Sequence, residues 1–411
     1  MFPEKPAPGA TLAVLAALCV LSYLPTLRQP LLEDDYPNLA IAQTYGNPAA
    51  WRQLADSVYR PRATSEWLMY GAYSLFGLNP APYYCVTITL HILCTFLVFA
   101  LGFWPRVGYR VSAWAAAFFA VYEGHQEAVM WFSACNELLQ FLFGVGALVC
   151  WLYFLFGDTR REDWYEGALA LFVLALISKE SAPVFALLAM LPLIDVAPAR
   201  RRLAILLAVP FWLLAGGAAY WIYTGRYGSF RFQDGSFSLS APFWRTWPVN
   251  LGRLFWFWGL AALLLARRRA LTGIAWAAIG LLPYIFLTYS TRIPSRQYYL
   301  ASAGLALVVG AAMAGLAELR TRRSVIAAVC AVVLAENVGY LWIKKRRQFL
   351  ERAEPTQELI AFAKKAAGPV VIRCFPRVPL IAKEAAHLGA GRTDVIWDRN
   401  NPDGFCYNKE K

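Results

Sequence analysis

Apolar and polar positions along this chain fall in long blocks, not in short periods. Leu12–Leu24, Tyr83–Trp104, Leu138–Phe156, Leu203–Tyr223 and Leu251–Ala266 run nearly free of charge. A run of roughly 20 apolar residues crosses the hydrocarbon core of a bilayer as a helix. The pattern predicts about eleven spans, near 9–27, 81–104, 111–123, 137–157, 165–178, 181–195, 203–224, 247–266, 271–290, 297–317 and 324–343. Two of them, 111–123 and 165–178, are short and are expected to tilt or to continue into the next loop. The first segment lacks a small-residue cleavage site before the next polar stretch, so it reads as a retained helix.

Beyond 343 the pattern changes. Pro355–Ala367 predicts a helix, Pro369–Phe375 a strand, Pro379–Leu388 a short helix and Thr393–Trp397 a second strand. The expected fold is an all-α polytopic membrane domain over 1–342, followed by a small α/β appendage over 343–411. The appendage is too small for a sizeable core of its own.

Composition agrees. Hydrophobic residues make up 59% of the 411 and charged ones only 16%, against about a quarter in soluble domains. A net charge of +13 raises the question of nucleic acid. The cations, however, sit in short clusters between apolar runs, as topology signals do, and no nucleic-acid partner is implied. Arg106/Arg110, Arg160/Arg161, Arg200–Arg202, Arg267–Arg269 and Arg320/Arg322/Arg323 mark cytoplasmic loops. The alternate loops, 28–65, 123–136, Ser178–Ser181, 225–246 and 290–296, then face outward and carry nearly all the acids and histidines of interest. Lys344–Arg347 falls on that outer side too, which marks either a miscounted span or a contact with anionic headgroups. The tail is expected outside, with Cys374 and Cys406 joined in a disulfide.

Several outer residues invite chemistry. Glu33, Asp34 and Asp35 are adjacent acids at a membrane surface, and they repel one another. They suit a general base or a metal ligand; equally, they suit a solvated helix start with Asp35 as cap. Arg60 offers a fork for phosphate or snorkels at the interface. His91, inside a span, is either functional or helix–helix glue. His125 stands among Glu123, Glu127 and Glu137 without a proper set of metal ligands. Lys179 and Glu180 read as an adjacent ion pair holding a tight turn. Arg296 opens a helix at the end where a cation is unfavourable, which a bound anion would offset. In loop 225–246, Phe230, Phe232, Phe237, Phe243 and Trp244 interleave with Arg226, Arg231 and Arg245. That is an ordinary interfacial loop or the lining of a lipid groove. All these positions, distant in sequence, fall on one face.

Together they resemble the GT-C superfamily of glycosyltransferases, and within it the transmembrane-and-tetratricopeptide-repeat protein O-mannosyltransferases and their bacterial relatives. The resemblance covers roughly 10–310. It is carried by Asp34-Asp35, by Tyr59-Arg60-Pro61 followed by Phe76–Pro80, and by His91 in LHILC. It continues in EGHQEAVMWFSACNELL (123–139), SKESA (178–182) and SRQYYLASAGLAL (295–307). Thr87, Gln126 and Ala301 depart from the family pattern, and no repeats follow.

The resemblance implies inverting transfer of a sugar, mannose among the candidates, from a polyprenyl-phosphate donor to a hydroxyl of a protein or glycolipid acceptor at the outer face. Asp34 or Asp35 would be the general base, with Asp34 favoured and Glu33 free to change to Gln. Arg296, with Arg60 and Lys179, would bind the lipid phosphate. His91, His125, Glu127, Glu180 and Tyr299 would shape the pocket. Metal use varies across the superfamily, which leaves room for a divalent cation. The competing class is a transporter or flippase, which would carry its charges at the bilayer midplane on broken helices.

Overall fold

A computed structural model describes residues 8–47, 50, 62–157, 162–228, 233, 235–238, 240–288, 292–318 and 323–407. Arg60, with Tyr59 and Pro61, lies outside the described residues, as do Phe230, Arg231 and Phe232. In chain order the main helices are α1 (Pro8–Tyr23), α2 (Asp35–Tyr45), α3 (Ala63–Phe76), α4 (Pro80–Ala100) and α5 (Gly108–Val121). Then come α6 (Cys135–Phe156), α7 (Glu162–Leu176), α8 (Pro198–Thr224), α9 (Phe243–Phe255) and α10 (Trp258–Ala266). The last are α11 (Leu271–Leu281), α12 (Tyr299–Glu318), α13 (Arg323–Gly339), α14 (Arg346–Lys365) and α15 (Pro379–Ala390).

The protein is an integral membrane protein. Among the described residues six helical stretches are long and apolar enough to cross a bilayer: Gly9–Arg28, Pro80–Phe103, Phe132–Phe156, Pro198–Thr224, Ser295–Glu318 and Arg323–Lys365. The other five expected spans are shorter or broken. α5 has 14 residues and α7 has 15. The stretch 181–195 is cut into short helical turns by Pro183 and Pro192, which cannot donate to a helical ladder. The expected span 271–290 gives way at a turn containing Pro283. The expected span 247–266 bends by 80° between α9 and α10, where Phe257 adopts φ 62°, a left-handed conformation rare for a bulky side chain.

The end of the membrane domain also differs from expectation. Pro355 does not begin a helix but lies inside α14. α13, a π-helical segment Tyr340–Lys345 and α14 run on as one helix of 43 residues.

α12 is the central post, packed on α5, α10 and α11 and buried along nearly its whole length. Glycines allow the approach. A Cβ on Gly304 would lie 2.3 Å from the Gly273 carbonyl oxygen of α11, and one on Gly310 would lie 2.4 Å from that of Val111 in α5. Without a hydrophobic drive between helices in lipid, such small-residue seams supply the packing.

The tail is the expected α/β unit. β1 (Val370–Cys374) lies between β2 (Val395–Trp397) and β3 (Phe405–Cys406), all parallel. β3 is too short to be read from periodicity. Cys374 pairs with Cys406 across β1 and β3, and the two form the expected disulfide. α15 ends at Gly391, whose φ of 68° provides a left-handed cap. The tail packs on the segment that follows α1: Ile360 of α14 and Ala385 of α15 share a core with Leu31, Tyr36 and Leu39.

Candidate active site

The three adjacent acids reach three different environments. Glu33 is buried and pairs with Arg377 at 2.7 Å and Arg352 at 3.4 Å, both from the tail. It anchors the tail, and Gln there would remove the charge that both arginines share. Asp35 is fully buried. Its carboxylate accepts from the Leu32 N–H (2.7 Å), the Ser133 N–H (2.8 Å) and the Ser133 hydroxyl (2.5 Å). These bonds tie the start of α2 to the turn at Ser133, so Asp35 neither faces solvent nor caps α2. Burial pushes its carboxyl up to about 6 against the opposing hydrogen bonds.

Asp34 is half-buried, and its carboxylate makes no hydrogen bond or ion pair among the described residues. Burial, and then the Glu33 charge, hold it above the ordinary carboxylate range. Arg296, Arg352 and Arg377 pull the other way.

Asp34 opens into a cavity of about 640 Å³. Its polar end also holds Asn38, Arg62, Lys179, Glu180 and Arg296. Apolar side chains line it too, among them Leu187 and, from α8, Trp212, Ala215 and Ile222. Lys179 and Glu180 do not pair with each other. Neighbours in a tight turn diverge: Lys179 donates to Glu137 and, at 3.0 Å, to the Tyr284 hydroxyl. Burial draws the Lys179 ammonium downward, against the Glu137 charge. Glu180 accepts both arms of the Arg62 fork, at 2.6 and 2.9 Å. Arg296 lies 3.6 Å from the Glu127 carboxylate and 5.0 Å from the Trp131 ring. Glu127 also accepts the Arg296 backbone N–H at 3.2 Å, so its role is to hold the arginine. Trp131 and Gln297 line this cavity, and Trp131 Nε1 and Gln297 Oε1 are buried with no partner among the described residues. A polar ligand would satisfy them.

The remaining expected pocket residues lie elsewhere. His91, His125 and Tyr299 are fully buried in an aromatic cluster and do not line the cavity. His91 Nε2 faces the Ala120 carbonyl at 3.2 Å, which makes it the donor, and leaves Nδ1 to accept from the Tyr299 hydroxyl at 2.7 Å. His125 Nε2 meets the Ser302 hydroxyl at 2.6 Å. These bonds clamp α4, the 123–129 turns and α12 together. Interhelical bonds of this kind are what the packing reading of His91 expects.

Arg62, Arg352, Arg377, Trp131 and Gln297 were missed from sequence as site residues. Only Arg62 carried a signal, as a second cation beside Arg60. The tail arginines reach the site through tertiary contacts that no local pattern encodes. Among the described residues no group of three or more His, Cys, Asp or Glu is placed to hold a metal.

No protein-family profile matches the sequence, and no curated protein matches it. Solved structures do match in three dimensions. ArnT from Cupriavidus metallidurans in the apo state superposes with a TM-score of 0.59 at 13% identity, covering 95% of this chain and 86% of that one. The same protein bound to undecaprenyl phosphate gives 0.57 at 13%, over 96% and 87%. The archaeal oligosaccharyltransferase AglB from Archaeoglobus fulgidus, in complex with an inhibitory peptide and a dolichol-phosphate, gives 0.54 at 12%, over 97% of this chain and 61% of that one. At such identities the likeness is one of fold, and the fold is the GT-C-like one expected.

Proposed function

We propose that this GT-C-like membrane protein transfers a sugar from a polyprenyl-phosphate carrier to an acceptor hydroxyl, with inversion at the anomeric carbon. One observation carries the reading. Asp34, whose carboxylate has no partner among the described residues, and Arg296 line one cavity together with a set of apolar side chains. That is a receptacle for an amphiphile with an anionic head. ArnT, of like fold, has been solved with undecaprenyl phosphate, which supports the choice of carrier.

In this mechanism Asp34 takes the acceptor hydroxyl proton. The acceptor oxygen bonds to the anomeric carbon as the bond from that carbon to the phosphate oxygen breaks. Arg296 receives the charge on the departing lipid phosphate through a fork that suits phosphate geometry. Lys179, which lines the same cavity and is engaged with Glu137, adds positive field. Asp35 and Glu127 position Asp34 and Arg296. Mannose is the sugar the family resemblance implies, and the acceptor is a protein or a glycolipid.

The disulfide supports an outward-facing site. Such bonds persist in oxidising compartments, and the tail that carries this one touches Glu33, next to Asp34. The reading is of a site on the extracytoplasmic face of a bacterial inner membrane. The test is to incubate purified protein with radiolabelled polyprenyl-phosphate sugars and follow label release. Release that depends on Asp34 is expected. No release from any such donor would give way to the transporter reading.

A further inference from the structure

A second cavity, of about 340 Å³, lies between the turn at Gln126 and the start of α14. Lys345, Gln348, Arg352 and Arg377 line it with Gln126 and Glu127. The Trp131 ring, which lines the first cavity, lies 5.0 Å from Arg296 of that cavity and 4.7 Å from Arg352 of the second. Asp34 opens into the first and feels the charges of Arg352 and Arg377 in the second.

Two observations say what the second cavity takes. Gln126 is 8% exposed, and its Oε1 is buried with no partner among the described residues. Leaving such an acceptor unsatisfied is costly, and a ligand hydroxyl would satisfy it. The second observation is charge. The cavity's carboxylates are already engaged, Glu127 with Arg296 and Glu351 with Arg347 at 3.1 Å. Arg352 and Arg377 share the single carboxylate of Glu33. Lys345 donates to the Gln348 amide at 3.0 Å and makes no ion pair among the described residues. Lys345 sits in the π-helical segment where the last membrane span becomes the tail helix, within a run of four cations, Lys344–Arg347, that draws anionic headgroups.

We infer that this cavity is the acceptor site and that the acceptor is a membrane-borne sugar headgroup carrying a phosphate or carboxylate. Gln126 takes one of its hydroxyls, while Lys345, Arg352 and Arg377 take its anionic group. The inference rests on the transferase reading: the anionic group is held by Lys345, Arg352 and Arg377, while the reacting hydroxyl must reach past Trp131 to Asp34 in the first cavity.

The test is calorimetric titration of the full chain in detergent, with undecaprenyl phosphate saturating the first cavity. Glucose 6-phosphate is the probe and methyl glucoside the neutral control. Glucose 6-phosphate is expected to bind without displacing undecaprenyl phosphate, and methyl glucoside at least about tenfold more weakly, as loss of a charged hydrogen bond requires. Gln126→Leu and Lys345→Gln should each weaken the probe by about tenfold or more while undecaprenyl phosphate binds as before. A protein that binds undecaprenyl phosphate but not glucose 6-phosphate, or takes both sugars equally, overturns the site alone. An acidic peptide that binds more tightly than the sugar phosphate and is lost in both variants overturns the lipid-headgroup assignment. Binding of the sugar phosphate without any binding of undecaprenyl phosphate overturns the acceptor role together with the transferase reading.

Discussion

Asp34 and Asp35 differ by one position and by nearly everything a carboxylate can experience. Asp34→Asn keeps size and removes the base, so transfer should fall by about 10²–10⁴ with thermal stability and donor binding retained. Asp35→Asn puts an amide against the N–H groups of Leu32 and Ser133. It should cost roughly 1–3 kcal/mol of stability, read as a lower melting temperature in detergent before any kinetic change. pH should separate them further. Asp34 acts as a base only when ionised, and its carboxyl lies above the ordinary 3.8. Transfer therefore falls as pH drops through a value higher than usual for aspartate. Arg377→Gln removes a charge that opposes this rise, so the acid limb of kcat/KM should move to still higher pH. An unmoved limb would disconnect the tail from the base. The acids were legible as a cluster because adjacency is local. Their division of labour was not, because it is set by Ser133 and Arg377, which lie about 100 and 340 positions away in the chain.

At the scale of elements, hydropathy located the helices of the eleven expected spans but not their lengths, since length depends on where proline and tertiary contacts interrupt them, and it did not pick out α3. Pro183, Pro192 and Pro283 each fall within an expected span and each shortens it. The family-like stretch around Arg296 reads chemically as a phosphate site, yet much of it serves packing. Ser302 and Gly304 stand on the buried faces of α12. Gly304→Ala would press a methyl against the Gly273 carbonyl and the Ala277 backbone. Overpacking of this kind costs about 1–3 kcal/mol. The expected outcome is a lower melting temperature with the donor affinity of the surviving folded fraction unchanged. An unshifted melt would mean that α11 and α12 can move apart freely.

For the whole molecule, the expectation is that the acids, the cavity and the tail share one side of the bilayer. Single cysteines at Gly235 and Gly157, with the free thiols replaced and the Cys374–Cys406 pair retained, should label from opposite sides. Labelling from the same side would break the one-face arrangement. β1 and β2 of the tail were readable, but its docking on α2 was not, because the seam joins Leu31 and Tyr36 to Ile360 and Ala385 across the full chain.

The helix from Arg323 to Lys365 has a mechanical meaning. Its 43 residues extend about 65 Å at ~1.5 Å each, roughly twice the hydrocarbon thickness of about 30 Å. One end is steeped in lipid and the other carries Arg352 to Glu33. Near the middle, Trp342 donates to the carbonyls of Leu21 and Ser22 at 3.0 and 3.2 Å, a fulcrum on the end of α1. A rod so pinned is a lever: tilt imposed by the bilayer below the fulcrum displaces the arginine above it. Transfer measured in vesicles of increasing acyl length should therefore pass through an optimum, because lipid depth is felt at the carboxylates. A flat response would mean that the rod bends at its π-helical segment and that the fulcrum isolates the site from the membrane around it.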